Sequence, residues 1–507
     1  MEAMDRHGMA QAGPVRQAGP VRQAGPARQT GSARPTAGEE SAARREFLTE
    51  PVGRLIIRHA SPAVISMAFQ ALYQIVDGIM VGRSLGPDAM ASVNVLYPLV
   101  ALVAGLAVMI GTGGNARAAV LLGAGDHRGA SRVLGTILLL GFLLGVLGAA
   151  ITAALVPQLL ALLGVGPVLS GYVREYLLGL LPFFWGMILV FILEQSVRND
   201  GKAALASLVM AGSALVNIGL DYLFLFVLDL GIIGAAWATG ISQTGAALIF
   251  LGYFLVKTLR REPGLSLGRP VREARTLRII CINGSSELLN SLSGGVTTFL
   301  FNRVLLGVVG ALGVAAFTVV QYPVMLGVMV VLGLGSGVQP LFSYNYGAGE
   351  VLRVRRALHA TLAISLVVGI LLWVSLGAPA RVIAALFLPG HGEAQRLAAE
   401  AASFFRWVVL CMPLGIIASV YFTAREEAGK SLAIALARGL VVPVAGVLLL
   451  PLWLGVSGVW LTPVIAEVVA CVLVVWLMGH SGRSSGGDTS GDGSGKGCSG
   501  RVGAVQA

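Results

Sequence analysis

Twelve apolar runs, each long enough to cross a bilayer, follow one another between Gly53 and Gly479, and no other feature limits the fold so strongly. A spanning helix needs about 20 mostly apolar residues, whereas barrel strands are about ten residues long and alternate in polarity. The runs are unbroken, so the expected fold is an all-α integral membrane bundle. The pattern predicts helices near 55–80, 89–112, 130–155, 172–197, 202–227 and 234–257. A second set is predicted near 276–305, 310–338, 355–378, 400–423, 430–450 and 456–479. Only 12% of residues are charged and mean hydropathy is +0.81, where soluble chains carry roughly a quarter charged residues.

The net charge of +11 does not point to nucleic acid, because the arginines lie in the N-terminal tail and in alternate loops. That alternation orients a membrane protein. Arg117, Arg128 and Arg132 mark the second loop, Arg198 and Lys202 the fourth, Arg353, Arg355 and Arg356 the eighth, and Arg425 and Lys430 the tenth. The basic stretch from Lys257 to Arg278 marks the sixth, so both termini and this linker are expected in the cytoplasm. Cys281, Cys411, Cys471 and Cys498 are widely spaced, and no HxxxH or HExxH joins the histidines. A metalloenzyme is therefore not expected.

The expected organisation is a disordered basic arm at 1–52, a six-helix lobe at 53–257, a linker at 258–275, a second six-helix lobe at 276–479 and a disordered tail at 480–507. The arm carries QAGPVR from Gln11, again from Gln17, and QAGPAR from Gln23, with too little apolar surface to pack. Arg44 and Arg45 resemble a twin-arginine signal only superficially, since no small-residue cleavage site follows.

The lobes repeat each other. GTGGNA at Gly111 answers GSGVQP at Gly335, LLGAGD at Leu121 answers NYGAGE at Asn345, and DLGIIGAAW at Asp229 answers WLGVSGVWL at Trp453, each 224 residues apart. Two parallel repeats meeting at a cleft can rock about a site near the membrane midplane. The GTGG run sits at a predicted helix end with no GKS/T after it, so its glycines are read as close-approach positions. Gly141 and Gly145 are read as a packing face.

In the first helix Gln70, Tyr73, Gln74 and Asp77 fall at i, i+3, i+4 and i+7, one face of an otherwise lipid-like segment. A membrane aspartate costs about 2.5–3.5 kcal/mol on insertion scales, so Asp77 should face protein or water and handle a cation. A structural hydrogen bond to a neighbouring helix is the other reading.

Tyr73 and Asp77 with Val81 and Gly82, GTGGNARAAVLLGAGD from Gly111, NIGLDYLFLF from Asn217 and VQPLFSYNYGAGE from Val338 together resemble the multidrug and toxic compound extrusion (MATE) transporters. The resemblance implies twelve helices in two lobes, a cavity open alternately to each side, and drug export driven by an H⁺ or Na⁺ gradient. It also implies an ion site at Asp77, Asn217, Asp221 and Thr239, where H⁺ or Na⁺ would bind. Asn217 and Asp221, four apart, share a helix face. Two close carboxylates cannot both carry charge easily, and the oxygen donors suit a shared proton or a small hard cation.

The second lobe has Phe301 where the first has Asp77, so the ion site is not expected to be duplicated. Glu287, Asn290, Gln321 and Gln339 join Gln70, Tyr73 and Gln74 as expected substrate-cavity residues, and Glu467 stands opposite Gln243 in the repeat. Pro182, Pro413 and Pro443 are expected to kink helices. Phe183, Phe184, Trp185, Phe404, Phe405 and Trp407 suit either an aromatic cavity or an interfacial belt. The expected function is thus export of organic cations or amphipathic drugs through the cytoplasmic membrane by a monomer in contact with lipid, with no cofactor and no enzymatic activity. The alternative is a flippase for lipid-linked or polysaccharide cargo, which needs midmembrane arginines for pyrophosphate. Arg406 and Arg438 are the two candidates.

Overall fold

The computed structural model describes residues 42–86, 89, 92–93, 96–162, 167–271, 273–377 and 392–483, all within one compact unit. Every element among these residues is helical. In order they are α1 (Ala42–Thr49), α2 (Val52–Leu85), α3 (Tyr97–Gly123), α4 (His127–Ala154), α5 (Val156–Leu162), α6 (Pro167–Leu180), α7 (Phe184–Asn199), α8 (Ala203–Tyr222) and α9 (Ile232–Leu259). Then follow α10 (Ala274–Val308), α11 (Ala311–Gly347), α12 (Val351–Gly377), α13 (Gly392–Ala424), α14 (Ala428–Leu436), α15 (Val442–Leu449), α16 (Pro451–Leu454) and α17 (Val456–Arg483).

Eleven helical stretches among the described residues are long and apolar enough to cross a membrane. The one long helix outside that set is α10, which has 35 residues but carries Arg275, Arg278, Glu287 and Arg303. Local chemistry sets the breaks. Pro182 sits in a 3₁₀ turn, Leu181–Phe183, that joins α6 to α7, because proline cannot donate the backbone bond an α-turn needs. Widened π turns follow α8 at Leu223–Val227 and α14 at Ala437–Val441, the second just before Pro443. Pro413 lies inside α13. Asp126 caps α4 by accepting a 2.8 Å bond from Gly129 N.

The packing repeats as the sequence does. The helix α2 lies on α8 as α10 lies on α14, α4 on α7 as α12 on α13, and α7 on α9 as α13 on α17. Across the two sets α3 packs on α10 and α2 on α11, the same crossing made twice. At the end of the bundle that carries the linker, here termed the linker end, α3 also crosses α11, and all of these crossings depend on glycine. A Cβ at Gly123 would lie 2.1 Å from the carbonyl oxygen of Tyr344, and one at Gly347 would lie 2.0 Å from that of Val120. Gly113 meets the Ile280 carbonyl at 2.1 Å and Gly337 meets the Ala60 Cα at 2.5 Å in the same way. These glycines stand in pairs 224 apart: Gly113 and Gly337 serve the equivalent crossings of α3 with α10 and α2 with α11, and Gly123 and Gly347 serve the crossing of α3 with α11. Gly145 likewise seats α4 on α7, its Cβ position 2.3 Å from the Trp185 Cα.

Three expectations need correcting. The second helix begins at Tyr97 and continues to Gly123, so GTGGNA is inside it, and Arg117 stands on the helix rather than in a loop. Arg117 bonds both oxygens of Glu426 at 3.1 Å, an ion pair joining the two sets of helices at the linker end. The eighth predicted helix also runs past its expected end, to Gly347. Length and polarity explain both, since small residues packed against backbone extend a helix that a hydropathy window cuts short. The basic arm expected to reach residue 52 contains α1. The linker is held beneath the bundle by Asp200, which pairs with Lys257, accepts a 2.6 Å bond from the Tyr253 hydroxyl and a 3.2 Å bond from Leu265 N.

Candidate functional site

Asp77 comes from the last third of α2, and Asn217 and Asp221 come from the last turns of α8, just ahead of the π turn. The helix α2 packs on α8, which puts the Asp77 and Asp221 carboxyl groups beside each other. Asp221 is fully buried, and neither of its oxygens receives a bond from any protein N–H or O–H; Oδ1 of Asp77 and Oδ1 of Asn217 are buried in the same condition. Acceptors left like this cost roughly 1–3 kcal/mol each, more when charged, unless a proton or cation meets them. Asn217 Nδ2 reaches Thr239 Oγ1 of α9 at 3.5 Å, which brings the fourth expected oxygen to the same place. All four expected ion-site residues therefore converge.

Tyr73, one turn from Asp77, accepts a 3.4 Å bond from Gln243 Nε2. Tyr176 of α6 is buried with its ring in the field of both carboxylates and of Tyr73, and sequence reasoning missed it. No spacing signal ties it to Asp77, because the two are joined only by the packing of separate helices. Gln70 is half-buried and Gln74 is exposed.

The second set of helices is built differently. Phe301 is buried and stacks on Phe317 at 5.5 Å, and Phe317 meets Phe405 at 6.0 Å and Trp460 at 6.4 Å. An aromatic cluster thus fills the place of the first set's aspartate. Glu287 lies near Asn290, three residues on along α10, and in the field of Arg438. Arg438, in the π turn, donates a 2.8 Å bond from Nε to Glu467 Oε1 on α17. Gln339 is buried with its Nε2 unpartnered, and Gln321 is half-buried.

The two flippase arginines are accounted for. Arg438 is paired, and Arg406 lies 3.8 Å from the centroid of the Trp373 ring and 5.5 Å from that of Trp407. Phe183 packs over Gly240, Phe184 is buried and Trp407 is 45% exposed, so the aromatic residues do not form one surface. Arg438→Leu should leave Glu467 an unpaired interior charge and cost about 3–5 kcal/mol of stability, while the Arg438→Leu, Glu467→Leu double variant should recover most of it. Thermal unfolding in detergent measures both.

A many-helix membrane bundle with a donor-poor carboxylate pair inside the first of two repeated sets of helices is the construction of an ion-coupled transporter. The chain belongs to the MATE family: the MatE family model matches residues 62–223 and 287–452. It is 31% identical over 289 residues to the multidrug export protein MepA of Staphylococcus saprophyticus, covering 56% of this chain and 62% of that protein. Against MepA of Staphylococcus aureus it is 27% identical over 453 residues, covering 85% of this chain and 95% of that one. Among solved structures it superposes on the outward-facing conformation of a multidrug resistance MATE transporter with a TM-score of 0.80 and 27% identity, covering 88% of this chain and 99% of the other. A MATE structure in complex with MaL6 also gives 0.80 at 27% identity, covering 87% and 98%. The fold and family of the chain are those of a transporter rather than an enzyme.

Proposed function

We propose that the chain exports cationic or amphipathic organic compounds across the cytoplasmic membrane in exchange for H⁺ or Na⁺, with Asp77, Asn217, Asp221 and Thr239 as the ion site. The observation that carries this reading is the neighbouring Asp77 and Asp221 carboxyls, of which both Asp221 oxygens and Oδ1 of Asp77 are buried acceptors that the protein supplies with no donor. Cation binding there favours one arrangement of the helices, and drug binding favours the other, so exchange follows from differential affinity.

In this reading α10 is the twelfth span. Lobes at 53–257 and 276–479 rock about the crossings of α2 with α11 and α3 with α10, and the linker end is cytoplasmic because the arginine-rich loops gather there. The polar residues Gln70, Tyr73, Gln74, Glu287, Asn290, Gln321 and Gln339 serve the drug cavity. The self-contained cleft needs one copy of the chain.

Proteoliposomes loaded with a fluorescent cationic dye test this. An imposed pH or Na⁺ gradient should drive dye movement, one of the two being effective. No movement under either gradient, from folded protein, would overturn the proposal.

A further inference from the structure

The helix α1 has eight residues, well below the length at which an isolated helix is stable in water, so its order comes from what it docks on. It docks on both sets of helices at once. Phe47 is fully buried, its ring 4.7 Å from His59 of α2 on one side and 4.8 Å from Tyr344 of α11 on the other. The Phe47 carbonyl accepts bonds from Asn345 Nδ2 at 3.2 Å and Arg353 Nη2 at 3.0 Å, and Arg353 also donates to the Glu50 carbonyl at 2.8 Å. These partners all belong to the second sequence repeat.

Toward the first repeat, Arg44 Nε donates to the Gly123 carbonyl at 3.2 Å, and Glu46 Oε1 meets His59 Nε2 at 2.9 Å and Arg58 at 3.2 Å. Ala43 is buried against the turn at Gly201. Arg44 thus grips α3 at the glycine where α3 crosses α11.

We propose that residues 42–50 form an intramolecular strap that holds the linker end shut, with Phe47 as its bolt in a cage made jointly by the two repeats. Separating α2 and α3 from α10 and α11 at this end pulls His59 away from Tyr344. The Phe47 ring then loses one wall, and either the Arg353 or the Arg44 bonds break. A segment that must undock before the end opens sets how often it opens. That opening occurs at all rests on the alternating exchange proposed above.

The test uses the full chain with spin labels at Arg128 and Arg355, exposed residues near the linker-end starts of corresponding helices in the two repeats. Distances are measured by pulsed electron resonance in proteoliposomes without drug. The wild type should show a predominantly short separation, and Phe47→Ala should increase the longer-separation population several-fold, with Phe47→Leu between them. Arg353→Gln, at the rim of the cage, should shift the same way and decides the matter alone should Phe47→Ala fail to fold. Unchanged distances in folded Phe47→Ala and Arg353→Gln would overturn the strap. Because the readout is a distance, a failure of ion coupling at Asp77 leaves it untouched and is recognised separately by flux.

Discussion

Asp77→Asn should bring gradient-driven efflux down to the background of empty liposomes while the protein still folds. The amide keeps the size and one acceptor of the carboxyl but cannot carry a charge that a cation neutralises. The exchange then loses the term by which ion binding distinguishes the two arrangements of the helices. Couplings of this kind are worth about 1–3 kcal/mol, or roughly 5–150-fold in affinity, so a loss of transport of that order is expected. Asp221→Asn should behave alike, since its carboxyl lies beside that of Asp77 and has no protein donor. Removing a buried charge from a donor-poor site should not reduce the unfolding temperature. If Asp77→Asn unfolds readily, the residue is structural and the ion-site reading fails.

Gly123→Leu should abolish transport by a different route. The Cβ position lies 2.1 Å from the Tyr344 carbonyl oxygen, and backbone cannot swing aside as a side chain can. Overpacking of this kind typically costs about 1–3 kcal/mol, which here falls on the arrangement with the linker end shut. The expected protein is folded, remains open at that end and shows increased labelling of Cys281, on the linker-end part of α10, by an impermeant maleimide. Gly347→Leu should reproduce it, because its Cβ position meets Val120 across the same crossing. Gly148→Ala is the control, with nothing within 4 Å, and should transport normally.

Much of this was legible in the sequence because membrane helices announce themselves by length and because a repeat doubles every signal. The 224-residue interval marked the glycines, and the structure gives the reason: each pair serves either two equivalent backbone crossings or the two sides of one. The stripe at Tyr73 and Asp77 was visible from helical periodicity, whereas Asn217 and Asp221 came from the family resemblance, with which their four-residue spacing agrees. Tyr176 was not visible, since only tertiary packing, chiefly that of α6 on α9, brings it near the carboxylates. The strap was hidden for another reason. AARREFLT has a single aromatic residue in a basic, glycine-rich and proline-rich neighbourhood, and its order depends on a cage assembled from residues some 300 positions away. The pairing of Arg438 with Glu467 also depends on the π turn that α14 runs into, which no local pattern predicts.

The central claim, that cation binding at the Asp77 and Asp221 pair is exchanged for drug export, is tested most directly by recording drug flux and ion flux together in one proteoliposome preparation. The account predicts that each increment of dye transported is matched by a fixed counter-flow of H⁺ or Na⁺, and that Asp77→Asn removes both. Dye flux that continues undiminished with no counter-flow, in the wild type or in Asp77→Asn, would contradict it.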